Sequence, residues 1–313
     1  MRIPRTLAFL AVSVSCFVLF SSSPVAQQSS SSAQGSQTGP TPVQAGLPGF
    51  TRGPNLPTAP PLAQANSQGA ALLNQSLAAL GAESPATDVT LVGQITIFMP
   101  GGTTNTGTIT MAARGDAQAE ITMSLPTGTA TEVRSISASG VPAEVRTAPN
   151  GSVTHNPTSS LFTPHPAWFF PQFVLSAQPS SNLSGAFIGS ETRAGVPVNH
   201  VEIWQLPPAS STTAMPAILM QHFTQCDVYL DPATSLPVSM VYWVQPIYAN
   251  DPPAKFFHKD NRVPVEIQFS NYQSVQGVPV AHQLNAFLQG HQIYSIQVSS
   301  ATINSGVVIP AVN

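Results

Sequence analysis

Charge is what this sequence has least of. Only 7% of its 313 residues are Asp, Glu, Lys or Arg, and the formal net charge is −3, whereas an ordinary globular domain is roughly 25% charged. Hydrophobic residues reach 42%, so a core can form, and the surface must be polar mainly through Ser, Thr, Gln and Asn. Without clustered Lys and Arg nothing can neutralise a run of phosphates, and nucleic acid is excluded as an expected partner. Docking by charge on anionic lipid is excluded on the same ground. Cysteine is nearly absent. Cys16 and Cys226 are the two in the chain; Cys16 falls in an N-terminal leader, so no intramolecular disulfide is expected in the mature protein. Catalytic spacings are missing as well. There is no G-x-S-x-G elbow, H-E-x-x-H, C-x-x-C, P-loop or G-x-G-x-x-G. A Ser-His-Asp set can always be assembled from a Ser-rich chain, so composition alone is no evidence of catalysis. The expectation is a protein that is not an enzyme, with no cofactor implied and no catalytic residue to name.

What is present begins with a leader. Arg2 and Arg5 precede an apolar run from Leu7 to Phe20, shorter than the roughly 20 residues that span a bilayer, and small residues follow. That is the layout of a secretory signal peptide over residues 1–26, cleaved near Ala26, with Pro24 at the −3 position. The expected location is therefore periplasmic or extracellular. Lipidation at Cys16 is the weaker alternative, because "VSVSC" lacks Leu three residues earlier and "FVLF" follows. Residues 27–66 are rich in Ser, Gln, Pro, Gly and Thr and show no apolar period. Such a segment cannot bury enough surface to offset its ordering entropy, and it is predicted to be a disordered tether.

The folded domain is expected over residues 67–313. Leu73, Leu77 and Leu80 recur at helical spacing in "GAALLNQSLAALGA", and Gly81 supplies a C-terminal stop. The period then changes to two. Val89, Leu91, Ile95, Ile97 and Met99 share one face, Ile109 and Met111 the next, then Ile121, Met123 and Leu125. After a break the alternation returns in "GVPVNHVEIWQL", in the hairpin "CDVYLDPATSLPVSMVYW" and in "VPVEIQFSNYQSVQGVPVAHQL". There Val263, Val265, Ile267 and Phe269 share a face. Counting such runs gives about ten to twelve antiparallel strands. The fold class is mainly β: one large curled sheet, an incomplete barrel, with an N-terminal helix and a short helical insert acting as lid or plug. The insert, "PAWFFPQFVL", is predicted as two short helical turns, with a kink at Pro171.

The leading helix, the meander, the aromatic insert and three local stretches together resemble the outer-membrane lipoprotein-sorting (LolA/LolB-like) superfamily. The stretches are "YLDPATSLPVSMVYW" at 229–243, "FSNYQSVQGVPVAHQL" at 269–284 and "SIQVSSATIN" at 295–304. The resemblance covers residues 66–306. It implies an incomplete antiparallel barrel with a helical lid, whose apolar cavity receives acyl chains. It further implies a carrier or binder of a lipid or other amphiphile.

Trp168, Phe169, Phe170, Phe173, Val174 and Trp243 are the candidate ligand-binding residues. Apolar pockets and packed cores use the same residue types, so the insert reads equally as a lid over a ligand or as a plug that fills the barrel. Tyr242 and Trp243 must point to opposite faces, so only one of them can face the hollow. His200 and Glu202 share a strand face at a spacing a metal could use, but no third ligand follows at a usable spacing, and His200 reads more simply as a polar residue at the surface. His282 is expected as a hydrogen-bonded core residue, and Cys226 as a small buried strand residue. Both lysines of the chain stand in residues 246–262, a charged loop that could meet an envelope protein. A structural or adhesive envelope protein with a filled barrel is the alternative function, and a secreted hydrolase the second alternative.

Overall fold

The computed structural model describes residues 63–81, 85–99, 101–136, 142–156, 166–176, 183–205, 221, 224–244 and 262–312. The leader with Cys16, residues 27–62 of the expected tether and residues 246–261 of the charged loop lie outside them. Helix α1 (Ser67–Ala79) comes first. A meander follows: β1 (Asp88–Phe98), β2 (Thr104–Arg114), β3 (Gln118–Leu125), β4 (Gly128–Ile136), β5 (Pro142–Thr147) and β6 (Val153–Asn156). After the short helix α2 (Pro171–Ser176) come β7 (Leu183–Arg193), β8 (Val196–Gln205), β9 (Cys226–Leu230), β10 (Pro237–Val244), β11 (Val263–Val275), β12 (Val278–Leu288) and β13 (His291–Ile303).

All thirteen strands form one antiparallel sheet, in the order β6-β5-β4-β3-β2-β1-β13-β12-β11-β10-β9-β8-β7. The last strand pairs with the first, Ile95 opposite Ile296, so the two halves of the chain meet at the centre and β6 and β7 are left as edges. The sheet does not close. Strand alternation gives it two faces. The inner face gathers residues of both halves into one core: Ile109 and Met111 on β2, Val265 and Ile267 on β11, Leu284 on β12, Ile296 on β13. A sheet this broad encloses such a core only by curling.

α1 lies on the inner face beside β7 and β8. Leu73 and Leu80 are buried in the core as their spacing predicts. A Cβ on Gly69 would stand 2.6 Å from the backbone carbon of Ala186, so the helix approaches β7 with no side chain between. Asn66 starts α1 by accepting from Gly69 N at 2.8 Å. The same side chain pairs with the edge strand, accepting from Phe187 N at 3.0 Å and donating to Phe187 O at 3.2 Å. Its backbone N–H donates to Gly185 O. Residues 63–66 therefore belong to the fold rather than to the tether.

After β13 the chain folds back beside β1. Asp88, 4% exposed, accepts from the backbone N–H of Ser305 at 2.8 Å, from Ser305 Oγ at 3.0 Å and from Gly306 N at 3.1 Å. Further along, Val312 N donates to Ser135 Oγ on β4. Burial pushes the Asp88 carboxyl up, but the bonds from Ser305, Gly306 and Val307 outweigh it and hold the carboxyl below its ordinary value. A carboxylate lowered by folding stabilises the fold above its unfolded pKa and loses that contribution as pH falls through the folded one. Asp88→Ala is expected to lower the urea midpoint at neutral pH and to flatten its fall below about pH 4. Parallel urea titrations of the two proteins at both pH values check this, and identical slopes would remove Asp88 from the account.

Candidate functional site

Pro166–Phe169 form a turn and Pro171 opens α2. A proline at the first helical position lacks only an N–H that had no helical partner anyway. The kink expected at Pro171 is thus a helix start. Two turns do form, held by Phe170 N donating to Ala167 O and Phe173 N to Phe170 O. Phe169, Phe170, Phe173 and Val174 are each 5% exposed or less and join the inner core. Phe170 and Phe173 meet edge to face at 4.8 Å, a favoured geometry for aromatic pairs. Trp168 is half-buried at the margin, edge-on to Phe169 and 5.8 Å from Tyr294 of β13.

A buried amide also ties this segment to its surroundings. Gln172, 2% exposed, donates to Leu80 O at 2.8 Å and accepts from Ala86 N at 3.2 Å. It satisfies a carbonyl that the C-terminal end of α1 leaves without a helical partner. The aromatic segment is therefore joined by one hydrogen bond to the C-terminal cap of α1, by another to the stretch before β1, and to the sheet by apolar contact.

Trp243 does not belong to this site. Met240 and Tyr242 of β10 enter the inner core, while Val241 and Trp243 join Val198 and Tyr229 in a small cluster on the other face. Strand alternation allowed either phase, and the structure takes the one that places Tyr242 inward. Its hydroxyl is buried without a hydrogen-bond partner among the described residues, as is Ser76 Oγ of α1. Burial pushes the Tyr242 hydroxyl well above its ordinary pKa, so it is a neutral donor facing an apolar interior.

Four charged residues also point inward. On β4, Glu132 stands opposite Ile121 and Arg134 opposite Ala119, and directly opposed residues of neighbouring strands share a face. Ile121 and Ala119 are core residues. On the other side Glu132 faces Arg146 and Arg134 faces Glu144 of β5. Arg134 Nε lies 2.8 Å from Glu132 and 3.3 Å from Glu144. Arg146 Nε lies 3.2 Å from Glu132 and also pairs with Glu144. Burial alone would push the Arg134 guanidinium down, but Glu132 and Glu144 outweigh it and hold it above its ordinary value, with a smaller contribution from Tyr294. The Arg146 side chain is 24% exposed against 5% for Arg134, so the quartet runs from the core to a rim. Alternating charges on a strand read as a solvent face, and that pattern concealed the quartet in the sequence.

The outer face carries a second polar cluster. His200, expected at the surface, is buried, and so is Glu202 beside it. His200 Nε2 is 3.0 Å from Asp227 Oδ1, and Trp243 Nε1 donates to Asp227 Oδ2 at 2.5 Å. The His200 ring stacks on Tyr229 at 4.5 Å, and the Arg193 guanidinium lies 3.8 Å over that same Tyr229 ring. Glu202 Oε1 accepts from Ala63 N at 3.1 Å, and burial raises the Glu202 pKa. Among the described residues no three His, Cys, Asp or Glu side chains converge as a metal site. Cys226 is buried in the core as expected, and burial pushes its thiol pKa well up, which keeps it an unreactive thiol. His282 is buried, with Nδ1 3.2 Å from Val298 O.

No protein-family model matches the chain, and no curated protein matches it in sequence. Among solved structures, a DUF1329 family protein from Desulfovibrio piger is similar at 13% identity, covering 76% of this chain and 94% of that one with a TM-score of 0.49. One described as an outer membrane lipoprotein-sorting protein domain, from Vibrio parahaemolyticus, is similar at 13% identity over 77% and 95%, with a TM-score of 0.48. A LolA superfamily protein from Nitrosomonas europaea is similar at 7% identity over 78% and 95%, with a TM-score of 0.41. At these identities and scores the likenesses concern the course of the chain and no further.

Proposed function

We propose that this is an exported envelope protein that holds a lipid or other amphiphile non-covalently against the inner face of its sheet, with Pro166–Ser176 as the lid. One observation carries the reading: among the described residues, the short segment Pro166–Ser176 lays Phe169, Phe170 and Phe173 on the inner core of a thirteen-stranded sheet, and Gln172 ties it to Leu80 and Ala86. At about 4.8 Å per strand the sheet runs on the order of 58 Å along its arc, while α1, 13 residues long, spans about 20 Å. Apolar attraction is non-directional and scales with area at about 25 cal/mol per Å². An acyl chain that takes the place of Phe169, Phe170, Phe173 and Val174 on the sheet therefore replaces most of the contact it removes. What opposes entry is the loss of the Gln172 bonds and the exposure of the lid's own aromatics. The unpartnered Tyr242 hydroxyl favours a guest with a polar atom, since a buried donor left unsatisfied costs about 1–3 kcal/mol. The charged stretch 246–262 is the segment proposed, on sequence alone, for contact with an envelope protein. No covalent step is part of this reading.

The test is native mass spectrometry of the protein purified from its own host without detergent, with organic extraction of the same sample and uptake of a fluorescent fatty acid. A stoichiometric lipid, or uptake with one site per chain, is the expected result. A bare mass with no uptake would sink the reading and leave the aromatic segment as a permanent plug in a structural envelope protein.

A further inference from the structure

Glu132, Arg134, Glu144 and Arg146 stand on the wrong face for solvated strand charges. The chain has ten Lys and Arg in all; Arg134 is set opposite Ala119 on the inner face, and Arg146 opposite Glu132, whose other neighbour is Ile121. Buried ion pairs add little stability, because the desolvation of each ion offsets their attraction. Their position is specific. Tyr294 packs against Trp168 at the start of the lid, and Ala119, Ile121, Phe169 and Tyr294 belong to one continuous core. The quartet thus faces the same core as the lid, with Arg146 toward a rim. Apolar ligand sites use a few such placed polar groups to fix orientation.

We propose that the quartet receives the polar end of the bound amphiphile and that this end is zwitterionic; the proposal rests on the ligand-binding reading above. The signs alternate around the four residues, each arginine paired with both glutamates. The net charge is zero. An anionic headgroup that approaches either arginine meets two carboxylates already there, and a cationic one meets the reverse. A headgroup carrying both signs can pair its anion with Arg146 and its cation with Glu132 or Glu144, leaving no ion without a counterpart. Its chain then runs beneath Trp168, toward Phe169 and Phe170.

The experiment offers the full chain two lysolipids with the same acyl chain, lysophosphatidylcholine and the anionic lysophosphatidylglycerol, in equimolar competition read by native mass spectrometry. The wild type is expected to load the zwitterion over the anion by about tenfold, which corresponds to about 1.4 kcal/mol. Glu144→Gln leaves a net positive quartet and is expected to shift the ratio toward the anion. Arg146→Gln leaves a net negative quartet and is expected to lower loading of both, the anion more. The double exchange Glu132→Arg with Arg146→Glu restores neutrality and is expected to keep the wild-type preference. A wild-type ratio near one overturns the quartet assignment and leaves the ligand-binding reading standing, and so does a ratio that the single variants do not move. Failure to load either lysolipid overturns the ligand-binding reading itself. The wild-type ratio decides the matter even if a variant does not fold.

Discussion

Arg134→Met is expected to destabilise the domain by about 3–5 kcal/mol, while apolar residues of similar size at positions 132, 134, 144 and 146 together are expected to be neutral or stabilising by about 1–4 kcal/mol. The asymmetry follows from desolvation. Glu132 and Glu144 are 3% and 1% exposed, so removing Arg134 takes one of the two arginines paired with both carboxylates out of the core. Removing all four leaves no ion to compensate, and the new side chains extend the apolar surface of Ile121 and Ala119. Urea unfolding of the single and quadruple variants checks both halves. Equal losses in the two would mean that the quartet holds β4 and β5 together rather than serving a guest. The quadruple variant is expected to be at least as stable as the wild type yet to lose its headgroup preference.

The second large effect is on the other face. Asp227→Ala is expected to lower stability by about 3–5 kcal/mol, because Asp227, 1% exposed, accepts from Trp243 Nε1 and is bonded to His200 Nε2. Without it the indole N–H is a buried donor with no acceptor, and His200 loses its carboxylate. Trp243→Phe removes one of these bonds together with its donor and is expected to cost less. Thermal or urea unfolding reads the difference. Since this cluster lies across the sheet from the lid, the ratio of zwitterionic to anionic lysolipid is expected to be unchanged in any Asp227→Ala protein that remains folded. A shifted ratio would tie the two faces together and overturn their separation.

The elements were legible in the sequence because their periods are clean. Leu73 and Leu80 placed a helix, and Val263, Val265, Ile267 and Phe269 placed a strand with its inward face. The aromatic insert announced itself by breaking the alternation. What sequence could not supply was phase where both choices are apolar. Tyr242 and Trp243 are equally bulky, and the inward choice follows from Met240 at the same phase and from the acceptor that Asp227 offers the indole on the far side. The charged quartet was illegible for a different reason. Glu132 with Arg134 and Glu144 with Arg146 alternate as solvent-facing residues do, and the pairing of Glu132 and Arg134 with Ile121 and Ala119 of β3, and of β5 with β4, shows which way all four turn. His200 repeats the lesson on the outer face, where a polar residue on a strand suggested exposure and the partner is Asp227.

Asn66 joins two tasks that are usually separate. It starts α1, and it also serves the outward N–H and C=O of Phe187, the groups through which an exposed edge strand recruits a neighbour. Docking of the helix and protection against edge-to-edge polymerisation are therefore one event. A chain whose first helix is lost or held away presents both an uncovered core and a vacant strand edge, and it is driven toward filaments. A chain whose helix is seated is guarded against self-association at that edge by the amide of a single asparagine.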